Sequence, residues 1–399
     1  MTSDQDSGED KIEKTARAEH KSPQEVADFY VAQFKRDCGR LNIELPDAPL
    51  LCRATEHIGD MIALIERILK NGLGYVTRSG VYFDVEKWRG PDGMGRLSRQ
   101  SLAEQHTSQR LEHSPDKKSP HDFALWVLGQ PNHLMQWDSP WGRGYPGWHI
   151  ECSAMSMKYL GETLDVHSGG LDHIPVHHEN EVAQSEAATG QPFVRYFVHN
   201  AFLVGMEGAK ISKSAGRFPV VDDLFTAEIN PLAFRLMCFG AKYRSELAFS
   251  LDAVRAAEKN LYYLYGFTSI ADSDATDSPW TQEFRDRFNE ALNDDLNTPQ
   301  ALAVVLELIN RAYREKDHKV WQTLKDFDSV LALGLEAQFD MLHEAKFPTE
   351  VLRLSERRDE ARRNRDFKLA DDLRRELTAL GYVVKDERDG PSSLMPKWN

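Results

Sequence analysis

The sequence predicts an α/β region followed by an all-α helical bundle and a small C-terminal domain. Three observations carry this expectation. With 399 residues the chain is too long for one ordinary domain and long enough for two or three cores. Up to about residue 85, two helix-period stretches are followed by one strand–turn–strand pattern. Beyond residue 250 the 3.6-residue periodicity dominates and strand signals nearly vanish.

Residues 1–20 are polar and read as a loose tail. Ser22-Pro23-Gln24-Glu25 is a capping box with Pro at the first helical position, and Val26, Phe29, Tyr30 and Phe34 follow along one face. A second helix opens near Thr55, carries Ile58, Met61, Ile62, Ile65, Ile68 and Leu69, and stops at Asn71-Gly72. Residues 74–77 and 81–85, separated by Arg78-Ser79-Gly80, predict a β-hairpin. Residues 86–120, rich in Gly, Ser, Gln and charge, predict a long surface excursion. Trp137, Trp141, Tyr145 and Trp148, interleaved with Pro and Gly, predict rigid loops lining a site. Further on, Val304, Leu306, Leu308 and Ile309, then Leu369, Leu373, Leu377 and Leu380, mark helices.

Composition narrows the function classes. The chain is 41% hydrophobic and 28% charged, and no run of about 18 apolar residues could cross a bilayer. Its first residues are acidic and polar, the opposite of a secretory signal. Four cysteines, Cys38, Cys52, Cys152 and Cys238, make no disulfide framework in a chain this long, so a cytoplasmic protein is expected. A formal charge of −14 argues against coating nucleic acid through a global positive field and leaves room for a local patch.

One constellation carries chemistry. Gly147-Trp148-His149-Ile150-Glu151-Cys152 is followed, 25 residues after the cysteine (177 − 152), by His177-His178-Glu179-Asn180-Glu181. On a helix His177 and Glu181 project from one face and can share an ion, with the Cys152 thiolate arriving from elsewhere. Sulfur, nitrogen and carboxylate oxygen favour zinc over magnesium or calcium. The alternative is a core cysteine and histidines that make ordinary hydrogen bonds.

GWHIECSAM, DVHSGGLDHIPVHHENEVAQSEA, KISKS and NDDLNTPQAL stand here in the order in which cysteinyl-tRNA synthetases carry similar stretches. From about Asp10 to the C-terminus the chain resembles that family. The resemblance implies a class I Rossmann-like catalytic core, incomplete at its N-terminus, and ATP-dependent activation of cysteine with transfer to tRNA-Cys. It implies one zinc ion on Cys152, His177 and Glu181 that binds the thiolate of L-cysteine, and ATP used as substrate with Mg2+. Serine differs from cysteine by one atom, and a hydrophobic pocket separates near-isosteres by only about 1–3 kcal/mol. A soft thiolate, by contrast, binds zinc far better than a hydroxyl does. The family's fourth protein ligand is a cysteine near the start of the catalytic domain, and neither Cys38 nor Cys52 matches it.

Lys210-Ile211-Ser212-Lys213-Ser214 resembles the KMSKS loop, which implies that Lys213 first, and Lys210 second, offset the charge growing on the α-phosphate. His167, Gly169, Gly170 and Asp172 resemble the turn beneath the adenosine, a plain strand-to-helix turn being the alternative. Trp148 would wall the amino acid pocket, or simply be packed. The family's HIGH sequence is missing. His57-Ile58-Gly59-Asp60 imitates it, but its neighbours match a later family stretch. A separate HIGH-bearing N-terminal fragment is therefore one expected partner.

Residues 353–376 mix Arg pairs with acids, as a solvated helix face does, while RRNRDFKLADDLRRELTALGYVVKD resembles the family's anticodon-binding module. The expected division is a tail (1–20), the catalytic remainder with zinc site and insertion (21–200), and the KMSKS-loop connection (201–250). A bundle that contacts the tRNA stem (251–345) and an anticodon-binding-like domain (346–399) complete it. The competing functions are an inactive tRNA- or zinc-binding paralogue and a ligase that joins cysteine to a small amine.

Overall fold

The structure, a computed structural model, describes residues 11–88, 93–99, 116–131, 133–205, 219–344, 347–385 and 393–396. It divides into two compact units, residues 1–36 with 44–202 and residues 37–43 with 203–399.

The first unit corrects the loose tail: Lys11–Glu19 is a helix, α1. Ala16 is buried, and the buried Glu13 carboxylate accepts the backbone N–H of Leu134 at 2.8 Å and pairs with His133. Docking of one acid and one small side chain orders a segment too polar to register as amphipathic. Helix α2 (Pro23–Arg40) starts as expected, with Ser22 N–H donating to Glu25 at 2.7 Å and Glu25 N–H donating to the Ser22 hydroxyl at 3.2 Å. Its apolar face is a second correction. Val26 is buried, whereas Phe29, Tyr30 and Phe34 are each more than half exposed.

Helix α3 (Ile58–Lys70) buries Met61, Leu64, Ile65 and Ile68, and Gly72 takes φ +75° just beyond it. Strands β1 (Gly74–Val76) and β2 (Gly80–Phe83) form the expected hairpin and continue through β3 (Ala124–Leu128) and β4 (Gly144–Pro146) into a four-stranded antiparallel sheet. Helix α4 (Trp148–Leu160) leaves that sheet. Next, β5 (Leu164–Gly170), α5 (Glu179–Thr189) and β6 (Val194–Asn200) make a β–α–β unit whose strands pair in parallel, which requires such a crossover. Among the described residues this β–α–β unit is the Rossmann-like part of the first unit. One apolar core runs from α3 through β2 and β3 to α4 and α5.

In the second unit β7 (Leu203–Val204) pairs in parallel with β8 (Leu247–Ala248). Helices α6 (Val221–Thr226), α7 (Pro231–Phe239), α8 (Leu251–Thr268), α9 (Thr281–Asn293), α10 (Thr298–Glu315), α11 (Trp321–Leu331) and α12 (Leu335–Glu344) share one core. Val304, Leu308 and Ile309 lie in it, as their spacing predicts. The NDDLNTP stretch is the turn between α9 and α10. Asp295 and Leu296 take positive φ, and the Asn297 side chain caps α10 by accepting from Gln300 N–H. Helices α13 (Thr349–Arg363) and α14 (Phe367–Ala379), with β9 (Tyr382–Lys385) and β10 (Ser393–Pro396), close a separate small core on Val351, Leu354, Leu373, Leu377 and Val384. Leu369 and Leu380 fall outside it, exposed.

Candidate metal centre

Two helices bring the donors together. A Cβ at Gly147 would lie 2.0 Å from the Ala124 carbonyl oxygen, so only glycine lets α4 start against β3. Cys152 follows in the second turn. Ahead of α5 the chain makes one wide, π-type turn, Ile174–His178, which presents His177 and His178 side by side. Buried polar side chains lock α4 to α5. Gln184 donates to the His149 carbonyl at 2.7 Å and to the Ser153 hydroxyl at 2.6 Å, and Ser185 donates to Ser153 at 2.9 Å.

A second clamp holds the outer side of α5. The buried Glu179 carboxylate accepts backbone N–H groups of Gly95, Leu97 and Ser98 at 3.2, 2.6 and 2.7 Å, and Arg96 pairs with Glu186 at 2.6 Å. Residues 93–99 are thus pinned rather than part of a free surface excursion; residues 89–92 and 100–115 lie outside the described residues.

The donor atoms of Cys152, His177 and Glu181 all lie within 4.8 Å of one another. Glu181 is wholly buried. Its Oε2 lies 2.9 Å from His167 Nε2, 3.7 Å from His177 Nε2 and 3.8 Å from His178 Nε2. Its Oε1 is buried with no hydrogen-bond partner among the described residues. A buried carboxylate oxygen left unpaired costs several kcal/mol, on the order of 1–3 for a neutral group and more for a charged one. A cation between thiol, imidazole and carboxylate removes that cost. The residues present therefore fit a divalent ion of intermediate softness.

Behind the donors stands a ring of histidines. His149 Nδ1 lies 3.0 Å from His177 Nδ1, and His178 Nδ1 lies 2.7 Å from His199 Nε2. When His177 and His178 donate through Nδ1, both Nε2 lone pairs face Glu181, the arrangement that fixes a ligating imidazole. Burial lowers His177 to about 4 and His178 to about 3, so both rings are neutral, the ligating form. Burial, and then the neighbouring Glu181 charge, pushes the Cys152 thiol up to about 12; burial also raises Glu181. A metal ion arriving here displaces protons. The Trp148 ring lies 4.3 Å from that of His177, half-buried at the edge of the cluster.

The other expected site residues fall as follows. His167, in the middle of β5, turns toward Glu181. A Cβ on Gly169 would come within 2.7 Å of the His178 ring, and one on Gly170 within 2.4 Å of the Asp172 carboxylate, so each glycine makes room for a side chain of the protein itself. Lys210 and Lys213 lie outside the described residues. His57 is buried, with Nδ1 2.7 Å from the Arg53 carbonyl and Nε2 2.7 Å from the Tyr159 hydroxyl. Both its nitrogens are engaged in hydrogen bonds within the first unit. His149, His178 and His199 escaped the sequence analysis as site residues; the density of histidines around HIPVHH was the signal available.

The family model for the tRNA synthetases class I (C) catalytic domain matches residues 5–259. A cysteine--tRNA ligase of Treponema denticola is 41% identical over 420 residues, covering 97% of this chain and 83% of the relative. The chain belongs to the cysteine--tRNA ligase family. Other members of the family agree: the ligase of Chlorobaculum tepidum is 40% identical over 409 residues (98% of this chain, 82% of the relative). Cysteine--tRNA ligase 1 of Burkholderia lata is 41% identical over 396 (98% and 81%). A DALR domain matches residues 287–336, and the cysteinyl-tRNA ligase anticodon binding domain matches residues 344–391. This family membership bears out the class I α/β region followed by helical domains.

Proposed function

We propose that this chain is a cysteine--tRNA ligase that activates L-cysteine with ATP and transfers it to tRNA-Cys. The observation that carries the reading is the convergence of Cys152, His177 and Glu181, whose donors approach within 4.8 Å around an orphaned carboxylate oxygen. Cys152, His177 and Glu181 would hold the ion and leave it able to accept a substrate thiolate. Zinc held there supplies a soft cation that takes the thiolate of cysteine and disfavours the hydroxyl of serine.

The chain's own residues do the rest. His149 and His167 fix the directions of His177 and Glu181, and Trp148 walls the pocket against His177. The backbone of Gly169 and Gly170, with Asp172, lies beneath the adenosine of ATP, which enters with Mg2+. Lys213, with Lys210, offsets the charge that grows as the carboxylate attacks the α-phosphate and pyrophosphate leaves. His167, bonded to Glu181, serves the ion more directly than the nucleotide. The family's HIGH sequence is not among these 399 residues. The anticodon-domain match supports tRNA as acceptor over a small amine.

Cysteine-dependent ATP–pyrophosphate exchange, measured with the chain alone and with an added HIGH-bearing fragment, tests the proposal. Exchange with cysteine but not serine, abolished by Lys213→Ala, is expected. No exchange under either condition, with tRNA binding intact, would overturn it in favour of a binding paralogue.

A further inference from the structure

We propose that Asp295, in the NDDLNTP turn, is a positioning residue: through Tyr243 and Arg244 it holds the β7–β8 strand pair from which the chain leads to KISKS. The inference rests on the reading of the chain as a ligase that uses Lys210 and Lys213, and it gives that turn a part in the ATP step.

The turn is built to hold one carboxylate in place. Asp295 and Leu296 take φ of +52° and +53°, a conformation that aspartate tolerates and leucine rarely adopts. Leu296 is exposed, so burial of its side chain does not sustain the strain. Contacts on both sides do. Leu296 N–H donates to the Leu292 carbonyl at 3.1 Å, and Asn297, which caps α10, donates from Nδ2 to Asp294 at 3.0 Å.

Asp295 grips a second tight turn. Ser245 N–H donates to the Lys242 carbonyl at 2.9 Å, and both central residues of this turn bond the carboxylate. The Tyr243 hydroxyl donates at 2.7 Å, and Arg244 donates from Nε at 2.6 Å and from a terminal nitrogen at 3.0 Å, a forked pairing. Hydrogen bonds from Arg244 first and Tyr243 second hold the Asp295 carboxyl at about 2, so it is charged at neutral pH. Thr298 adds a bond to the Ala241 carbonyl at 3.4 Å.

The gripped turn leads into β8, which therefore has an anchor at each end. Behind it, the Ser250 hydroxyl caps α8 by accepting from Ala253 N–H at 3.1 Å. Between the anchors β8 pairs with β7, and Phe249 N–H donates to the Val204 carbonyl at 2.7 Å. Lys210 follows six residues after Val204 (210 − 204). So short a strand pair is not stable by itself, and β7 depends on what fixes β8. An exposed ion pair adds little to global stability, so the contribution of Asp295 is local.

The test is a double-mutant cycle on the full chain: Asp295→Ala, Arg244→Ala and both together. Arg287→Ala is the control, because Arg287 joins α9 to α10 through Glu307 at 2.5 Å without touching the strands. Hydrogen exchange of the peptides that contain β7 and β8 is followed by mass spectrometry, and KM for ATP and for cysteine is measured by pyrophosphate exchange. Asp295→Ala should speed hydrogen exchange in both peptides and raise KM for ATP about tenfold, with KM for cysteine and the urea midpoint as in wild type. The double variant should be no worse than either single one, and the control should match wild type. Unchanged hydrogen exchange in Asp295→Ala would overturn the proposal, and faster exchange with an unchanged KM for ATP would reduce Asp295 to a structural clamp. A wild-type chain without pyrophosphate exchange sinks the ligase reading instead, while protection lost from β7 and β8 in Asp295→Ala still upholds the anchor.

Discussion

At the scale of single residues the metal centre is a problem in proton accounting. The Cys152 thiol, pushed up to about 12 by burial and by Glu181, holds its proton at pH 7, yet it must ligate as a thiolate. An ion bound there therefore releases this proton. Affinity for zinc should tighten about tenfold per pH unit while one proton is displaced. Chelator competition at pH 6.5, 7.5 and 8.5 measures this, and a flat profile would count against thiolate ligation. Cys152→Ser should bind zinc more weakly and lose most of the slope. His149→Phe keeps the packing but frees His177 Nδ1, and should weaken zinc by about 10–100-fold. An unchanged dissociation constant for that variant would reduce His149 to a core residue. The triad itself was legible in the sequence, since a four-residue His–Glu spacing and a cysteine in an aromatic, glycine-rich stretch leave a pattern. His149 and His199 were not legible as site residues: each reaches the cluster through tertiary pairing across 28 and 21 residues, and a single histidine carries no spacing.

At the scale of elements α5 is the most informative. Its sequence, ENEVAQSEAAT, has the look of a solvated face, yet Glu179 through Ala188 are all buried. Hydropathy misleads here because the polar groups are paired inside the protein: Glu179 on three backbone N–H groups, Glu186 on Arg96, Gln184 and Ser185 on α4. Helix α2 errs in the opposite direction, with a strong apolar pattern at Phe29, Tyr30 and Phe34 that stays exposed. Periodicity reports which face is apolar, not whether anything covers it. The two cases give contrasting expectations. Glu179→Gln puts an amide N–H2 among three N–H donors and should cost about 2–4 kcal/mol by urea unfolding. Glu25→Gln in the exposed capping box should leave the unfolding midpoint nearly unchanged. Equal effects at the two positions would mean that the clamp on residues 93–99 contributes nothing beyond a surface contact.

At the scale of the whole molecule the difficulty is a chain of net charge −14 that must hold a polyanion. Long-range attraction is unavailable, so affinity has to come from a local patch that works within a Debye length of about 8–10 Å. The turn between α13 and α14 offers one. Arg363, Arg365 and Lys368 are exposed there around Phe367, which is 62% exposed, while Asp366 is occupied in capping α14 by accepting from Leu369 N–H. Cations beside an exposed ring suit unpaired nucleotides, whose phosphates meet the charges and whose bases stack on the aromatic face. Each phosphate contact to a single strand contributes about 0.7 to the slope of log affinity against log salt. Replacing Arg363, Arg365 and Lys368 by Glu should therefore lower that slope by about 2 and weaken tRNA binding, while Phe367→Ala should weaken binding with little change in slope. Anisotropy titrations at several potassium chloride concentrations separate the two effects. If the triple variant kept the wild-type slope, the patch would be an ordinary solvated face, and the acidic chain would have to engage its nucleic acid through other residues.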